Sequence, residues 1–211
     1  MHFTLKIWRQ ARPDTPGEFA TYQIDDLAPS LSVLEMLDAL NDQLIANDEA
    51  PITFESDCRE GICGACGILI NARPHGPAAH TPACHQRLSS FPNGSTITIE
   101  PLRAAAFPVI ADLMVERAHL TDVLGAGGSA EVFAGTAPDA DADRIDSDTA
   151  ERALDFAACI GCGACVAACP NGSAQLYVGA KLGHLSELNI AGLARHQRAE
   201  TMVAQAESYF G

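Results

Sequence analysis

Basic side chains are scarce in this sequence: 13 Lys and Arg stand among 211 residues, against 27 Asp and Glu, for a formal net charge of −14. Phosphate backbones are bound by clustered Lys and Arg, and no such cluster occurs, so a general nucleic-acid surface is excluded. Long apolar runs are also missing. None approaches the roughly 18 residues that crossing a bilayer requires. The first ten residues, MHFTLKIWRQ, lack the charged n-region, apolar h-region and small-residue cleavage site of a secretory signal. The expected compartment is therefore a reducing cytoplasm, where structural disulfides are rare and dense cysteine means metal. With 47% hydrophobic residues, the chain is rich enough in apolar side chains to fold, and its length allows one or two domains. Two are expected.

Phe3, Leu5 and Ile7 alternate with Thr4, Lys6 and Trp8, the period of a half-buried strand. A turn at Pro13–Gly17 and a second extended stretch, Phe19–Ile24, complete a hairpin. Ser32 and Glu35 form a capping box before Val33, Leu37, Leu40 and Leu44, which recur at helical spacing up to Asn47. Short strands are predicted at Gly67–Asn71 and Thr96–Glu100. Pro108 suits the first turn of a helix predicted over Val109–Leu124. Gly125-Ala-Gly-Gly-Ser129 and the five aspartates of Asp139–Asp148 mark a hinge and a linker or surface loop. From Thr149 the pattern is helical, with Leu185–Ala206 forming one or two helices. The expected class is α+β: a mixed unit over 1–105, a connecting helix and linker over 106–148, and an all-helical unit over 149–211.

All eight cysteines fall into two groups. Cys58, Cys63 and Cys66 form C-x4-C-x2-C, with Cys84 beyond seventeen intervening residues, the plant-type spacing of a [2Fe–2S] cluster held by four thiolates. Gly61, Gly64 and Gly67 stand where positive φ would aim backbone N–H groups at cluster sulfurs. Such bonds stabilise the reduced cluster, so they predict a potential above the plant-type value of about −400 mV. Cys159, Cys162, Cys165 and Cys169, followed by Pro170, form C-x2-C-x2-C-x3-C-P, the bacterial run whose fourth cysteine serves a neighbouring cluster.

Other chemistries fit less well. A zinc ribbon needs a second C-x2-C knuckle, which Cys84 lacks. Disulfides suit neither the compartment nor the crowding of the thiols. His80 and His85 flank Cys84 but are superfluous for a Rieske centre when four thiolates are at hand. Asp139, Asp141 and Asp143 begin like a calcium loop, yet Arg144 and Ala150 stand where Gly and Glu are needed. Gly125 and Gly127 lack the strand and third glycine of a dinucleotide fingerprint.

Three segments, SDCREGICGACG at 56–67, IEPLRAAAFPVIADL at 99–113 and ACIGCGACVAACPNG at 158–172, resemble the iron–sulfur subunits of the succinate dehydrogenase/fumarate reductase family. The resemblance implies a ferredoxin-like β-grasp domain with [2Fe–2S] on Cys58, Cys63, Cys66 and Cys84. It also implies a helical, bacterial-ferredoxin-like domain with [4Fe–4S] on Cys159, Cys162 and Cys165, and Cys169 on [3Fe–4S]. The implied partners are an FAD-containing flavoprotein subunit, a hydrophobic membrane anchor and quinone, at the cytoplasmic face of a bacterial inner membrane. Two features depart from the family. Its third group, C-x5-C-x3-C-P, is absent before Phe210-Gly211, so a truncated chain is expected; the alternative is that Cys169 completes a single cubane. Asn171, Gly172, Ser173 and Ala174 stand where many members carry a tryptophan, and the sole tryptophan here is Trp8. A soluble two-cluster ferredoxin-type carrier is the competing function.

Overall fold

The computed structural model describes residues 1–129, 145–188 and 190–211. It divides into two compact units, Met1–Glu116 with Cys162–Ala167, and Arg117–Gly161 with Ala168–Gly211.

In the first unit, strands β1 (Phe3–Arg9) and β2 (Glu18–Ile24) pair antiparallel from Phe3↔Ile24 to Arg9↔Glu18. This is the predicted hairpin. Its turn passes so close to Trp8 that a Cβ on Gly17 would lie 2.3 Å from the indole, and Trp8 packs edge-on to Phe19 with Arg103 over its ring. Helix α1 (Val33–Ala46) begins at the expected capping box: Ser32 Oγ accepts from the Glu35 N–H at 3.2 Å, and Glu35 Oε2 accepts from the Ser32 N–H at 2.6 Å. Val33, Leu37, Leu40 and Leu44 are all buried, as their spacing predicts.

Strands β3 (Ile68–Ile70), β4 (Arg73–Pro74) and β5 (Thr96–Pro101) complete a sheet of order β2-β1-β5-β3-β4, in which β5 runs parallel to β1. A parallel pair needs a crossover, and the sheet's apolar face must be covered. Helix α1 lies in the connecting chain, and Leu34, Leu37 and Leu40 share one buried cluster with Phe3, Leu5, Ile7, Ile97 and Ile99. The class is α+β, as the sequence predicts.

One element differs. In place of a helix over Val109–Leu124, the chain forms a hairpin of β6 (Val109–Ala111) and β7 (Met114–Val115), and only α2 (Ala118–Val123) is helical. The reason is tertiary. Asp112, at φ 44°, turns the chain so that its N–H donates to Gln10 O at 2.8 Å and the Leu113 N–H donates to Thr53 O at 3.0 Å. Its carboxylate accepts from Arg9 Nε at 3.1 Å, Gln10 N at 2.9 Å and Thr53 N at 2.8 Å. Helical spacing of apolar residues cannot reveal such distant donors.

The second unit is helical. A wide turn at Leu124–Gly128 follows α2, and α3 (Ser147–Ala157), α5 (Gln175–Glu187) and α6 (Gly192–Phe210) follow in order, with α4 (Ala164–Ala168) crossing from the first unit's segment. The predicted hinge is a packed approach instead. A Cβ on Gly127 would sit 2.2 Å from the Arg198 carbonyl oxygen, and Arg198 Nε donates to Gly127 O at 3.0 Å. Of the five aspartates, Asp139, Asp141 and Asp143, and with them the calcium-loop reading, lie outside the described residues. Asp146 caps α3 by accepting from the Thr149 N–H at 2.9 Å. Asp148 sits in that helix's first turn, where the dipole favours an anion. The Leu185–Ala206 stretch divides between α5 and α6, and Arg195 donates to the carbonyls of Leu188 and Ile190. Among the described residues no helix is long and apolar enough to cross a membrane.

Candidate iron–sulfur sites

The loop that carries Cys58, Cys63 and Cys66 runs without regular structure into β3. Three of its residues have left-handed backbones: Arg59 at φ 52°, Gly61 at 75° and Gly64 at 72°. Only glycine adopts this conformation without cost, and the turns coil the chain around Cys58. Its Sγ accepts from the N–H groups of Glu60 at 3.3 Å, Cys63 at 3.4 Å and Ile62 at 3.5 Å, while the Ala65 N–H donates to Cys63 Sγ at 3.4 Å. Gly61 therefore bends the chain, and its neighbours supply the donors. Gly67 departs from expectation. It lacks a positive φ, because it already leads into the extended backbone of β3.

Cys84 arrives from a separate segment. The N–H groups of His85 and Gln86 both donate to Pro82 O, at 2.8 and 3.0 Å, making one tight turn around Cys84. The Val33 N–H donates to Gln86 O at 2.9 Å, which ties that turn to the start of α1. The Gln86 side chain is fully buried and its Oε1 accepts from the Ala78 N–H at 3.0 Å. Sequence reasoning missed Gln86, since one buried amide has no periodicity. It missed Asp38 as well, whose carboxylate receives both Arg59 Nη1 and Nη2 from the cysteine loop. His80 and His85 are exposed.

The four thiols of the first group converge. The thiols of Cys58 and Cys63 are hydrogen-bonded to each other, as are those of Cys66 and Cys84, and Cys66 also feels the charge of Cys63. Their environments differ. The N–H groups of Glu60 and Ile62, with help from Cys63, pull the Cys58 thiol down to about 7. Burial pushes the Cys66 thiol up to about 11. Thiols gathered in pairs, with N–H donors aimed at sulfur, fit a multi-iron cluster whose charge is spread over several atoms.

The second group lies on a short glycine-rich stretch. Gly161, Gly163 and Gly172 are left-handed, at 69°, 79° and 64°. Cys165 rides on α4, whose first turn closes when the N–H groups of Val166 and Ala167 both donate to Gly163 O at 3.0 Å. The N–H groups of Ser173, Asn171 and Gly172 hold the Cys169 thiol below its ordinary value. Cys159 presents its carbonyl to Lys181 Nζ at 3.2 Å. All four thiols of this group are partly exposed, and all eight cysteines of the chain are free.

Residues 4–122 match a family described as 2Fe-2S iron-sulfur cluster binding domain, and residues 153–174 match one described as 4Fe-4S binding domain. The chain is 31% identical over 153 residues to a fumarate reductase iron-sulfur subunit of Wolinella succinogenes, covering 72% of this chain and 58% of that protein. It is 27% identical over 168 residues to a succinate dehydrogenase iron-sulfur subunit of Bacillus subtilis, covering 78% and 62%. It thus spans about three-fifths of the length of the curated relatives it matches. A chain of the Mycobacterium smegmatis Sdh1 complex in the apo form has the same fold, with a TM-score of 0.62 at 19% identity, over 99% of this chain and 95% of that one. With one family matched over more than half its length and these relatives beside it, the chain belongs to the 2Fe-2S cluster binding family that includes the iron–sulfur subunits of succinate dehydrogenase and fumarate reductase.

Proposed function

We propose that this protein is an electron-transfer subunit. It relays single electrons between an FAD-containing flavoprotein subunit acting on succinate or fumarate and a quinone bound at a hydrophobic membrane anchor. Cys58, Cys63, Cys66 and Cys84 hold [2Fe–2S], within a domain over 1–105. Cys159, Cys162 and Cys165 hold [4Fe–4S], within a helical domain over 149–211. Cys169 is either its fourth ligand or a ligand to [3Fe–4S]. The observation that carries this reading is the convergence of the four thiols of the first group under backbone donors.

Iron–sulfur clusters pass electrons one at a time, which couples a two-electron flavin to stepwise quinone chemistry. The chain's own residues place the thiolates. N–H groups of Glu60, Ile62 and Cys63 hold negative charge on Cys58, the hydrogen-bonded turn after Pro82 fixes Cys84, and the burial of Cys66 and Cys84 keeps water from that side. No acid, base or nucleophile of this chain takes part, and the subunit is peripheral, at the cytoplasmic face.

Anaerobic iron and sulfide analysis with low-temperature EPR tests the reading. Cysteine groups loaded with one [2Fe–2S] and one [4Fe–4S] give about six irons per chain, and a further [3Fe–4S] gives about nine. An iron-free, zinc-containing protein sinks it. Copurification of a flavin-containing subunit with hydrophobic subunits supports the complex, whereas a stable iron-loaded monomer points to a free two-cluster carrier.

A further inference from the structure

Lys181 stands on the face that α5 buries in the second unit, with Tyr177, Val178 and Leu185. The side chain is 9% exposed. A buried ammonium is costly unless a counter-charge lies close by. Its contacts are neutral ones: Nζ donates to the Cys159 carbonyl at 3.2 Å and lies 5.6 Å from the centroid of the Tyr177 ring. The Tyr177 hydroxyl is turned away, donating to Leu120 O at 3.0 Å. Among the described residues no carboxylate pairs with Lys181. The titratable neighbour one turn along is His184, which burial and then Lys181 itself push below its ordinary value. That shift favours the neutral imidazole, which supplies Lys181 with no counter-charge. The residue that Lys181 grips opens the second cysteine run.

We propose that Lys181 is the internal counter-charge of the cluster held by Cys159, and that it raises that cluster's reduction potential. The inference rests on reading Cys159 as a cluster ligand. A cubane with thiolate ligands is negatively charged and gains one more negative charge on reduction. A fixed cation in a medium of low dielectric therefore favours the reduced form over the oxidised one. The same ammonium tethers the Cys159 backbone to α5, so charge and position have to be separated experimentally.

The test uses the full chain with its clusters, titrated anaerobically and followed by EPR, as wild type and as Lys181→Met, Lys181→Gln and Lys181→Arg. Lys181→Met removes charge and tether, Lys181→Gln removes the charge but keeps a donor, and Lys181→Arg keeps the charge. The expected result is a shift of the [4Fe–4S] equilibrium toward the oxidised form by tenfold or more in both Met and Gln variants, about 59 mV for one electron. In the Arg variant the equilibrium stays close to wild type. The [2Fe–2S] centre of the same samples is the internal reference and stays unmoved. An unchanged [4Fe–4S] potential in the Gln variant overturns the counter-charge while leaving the cluster assignment intact. A wild-type chain without any cubane signal overturns the assignment itself, and this inference with it.

Discussion

Arg59 reaches from the middle of the cysteine loop to α1 and places both Nη1 and Nη2 on the Asp38 carboxylate, with Nη2 also donating to Ser56 Oγ at 3.1 Å. The residue that makes this grip is itself left-handed, at φ 52°. It stands between Cys58 and the N–H groups of Glu60 and Ile62 that point at the Cys58 sulfur. Both side chains are 42% exposed, so as a salt bridge the pair contributes only about 0–1 kcal/mol. Its value is geometric. Asp38→Asn is expected to leave the unfolding midpoint nearly unchanged yet to accelerate loss of [2Fe–2S] absorbance to a chelator severalfold, with Arg59→Lys, which loses the fork, behaving alike. Equal rates of loss in wild type and variants would show that the loop holds its shape without the latch.

Asp112 is expected to matter to stability far more than Asp38. Its side chain is 6% exposed and satisfies Arg9, Gln10 and Thr53 together. Arg9 in turn donates to Tyr22 Oη at 2.7 Å and to the carbonyls of Ala50 and Pro51. Removing the carboxylate takes the acceptor from Arg9 Nε and from the backbone N–H groups of Gln10 and Thr53, while Arg9 Nη1 and Nη2 keep theirs. Asp112→Ala is expected to cost about 3 kcal/mol. Asp112→Asn keeps an acceptor and tolerates the left-handed backbone, so it is expected to cost less. Denaturant unfolding followed by circular dichroism orders the two, and a smaller loss for Ala than for Asn contradicts the argument.

The capping box of α1 sets a pH dependence. The Ser32 N–H, then the Ser32 side chain, hold the Glu35 carboxyl below its ordinary value of 4.5. A carboxyl depressed in the folded state adds stability above its unfolded pKa and loses it as pH falls through the folded one. Glu35→Gln is therefore expected to lower the unfolding midpoint at neutral pH and to become indistinguishable from wild type once pH has fallen below the carboxylate range. Ser32→Ala loses the acceptor for the Glu35 N–H as well, costs about 1 kcal/mol and keeps part of that cost in acid, where the carboxylate no longer contributes. A Glu35→Gln effect that persists in acid would assign the stabilisation to shape and not to charge.

How much of this was legible in the sequence depends on the range of the interaction. Alternation in Phe3, Leu5 and Ile7, helical spacing from Val33 to Leu44, and the Ser32–Glu35 pair are local patterns, and each appears in the structure as predicted. Cysteine spacing grouped Cys58, Cys63 and Cys66 with the distant Cys84, and the thiols of that group lie together in the structure. The β6–β7 hairpin was hidden because Asp112 is held by residues about 60 and 100 positions away, Thr53 and Gln10. Lys181 was hidden for another reason. A lysine on an amphipathic helix is ordinarily solvent-facing, and only the packed structure places it on the buried face with its ammonium on Cys159. Gly67 shows the converse: the spacing of three glycines suggested three turns, but its neighbour Ile68 already pairs in the sheet.

The two halves of the first cysteine group are expected to separate chemically once iron is removed. Thiolate is the nucleophile toward alkylating agents, so reactivity rises as pH passes through each thiol's pKa. Backbone donors bring Cys58 down to about 7, while burial takes Cys66 up to about 11. In chelator-stripped protein, timed iodoacetamide pulses read by peptide mass spectrometry should show Cys58 labelling climbing between pH 6 and 8 and then levelling. Cys66 should stay unlabelled throughout that window. In cluster-loaded protein both should be silent, since a thiolate bonded to iron is no longer free. The N–H groups of Glu60, Ile62 and Cys63 that stabilise the free thiolate are the ones available to a coordinated sulfur. A Cys58 profile with its midpoint at the ordinary thiol value would mean those donors turn elsewhere in solution, removing the proposed means of raising the [2Fe–2S] potential.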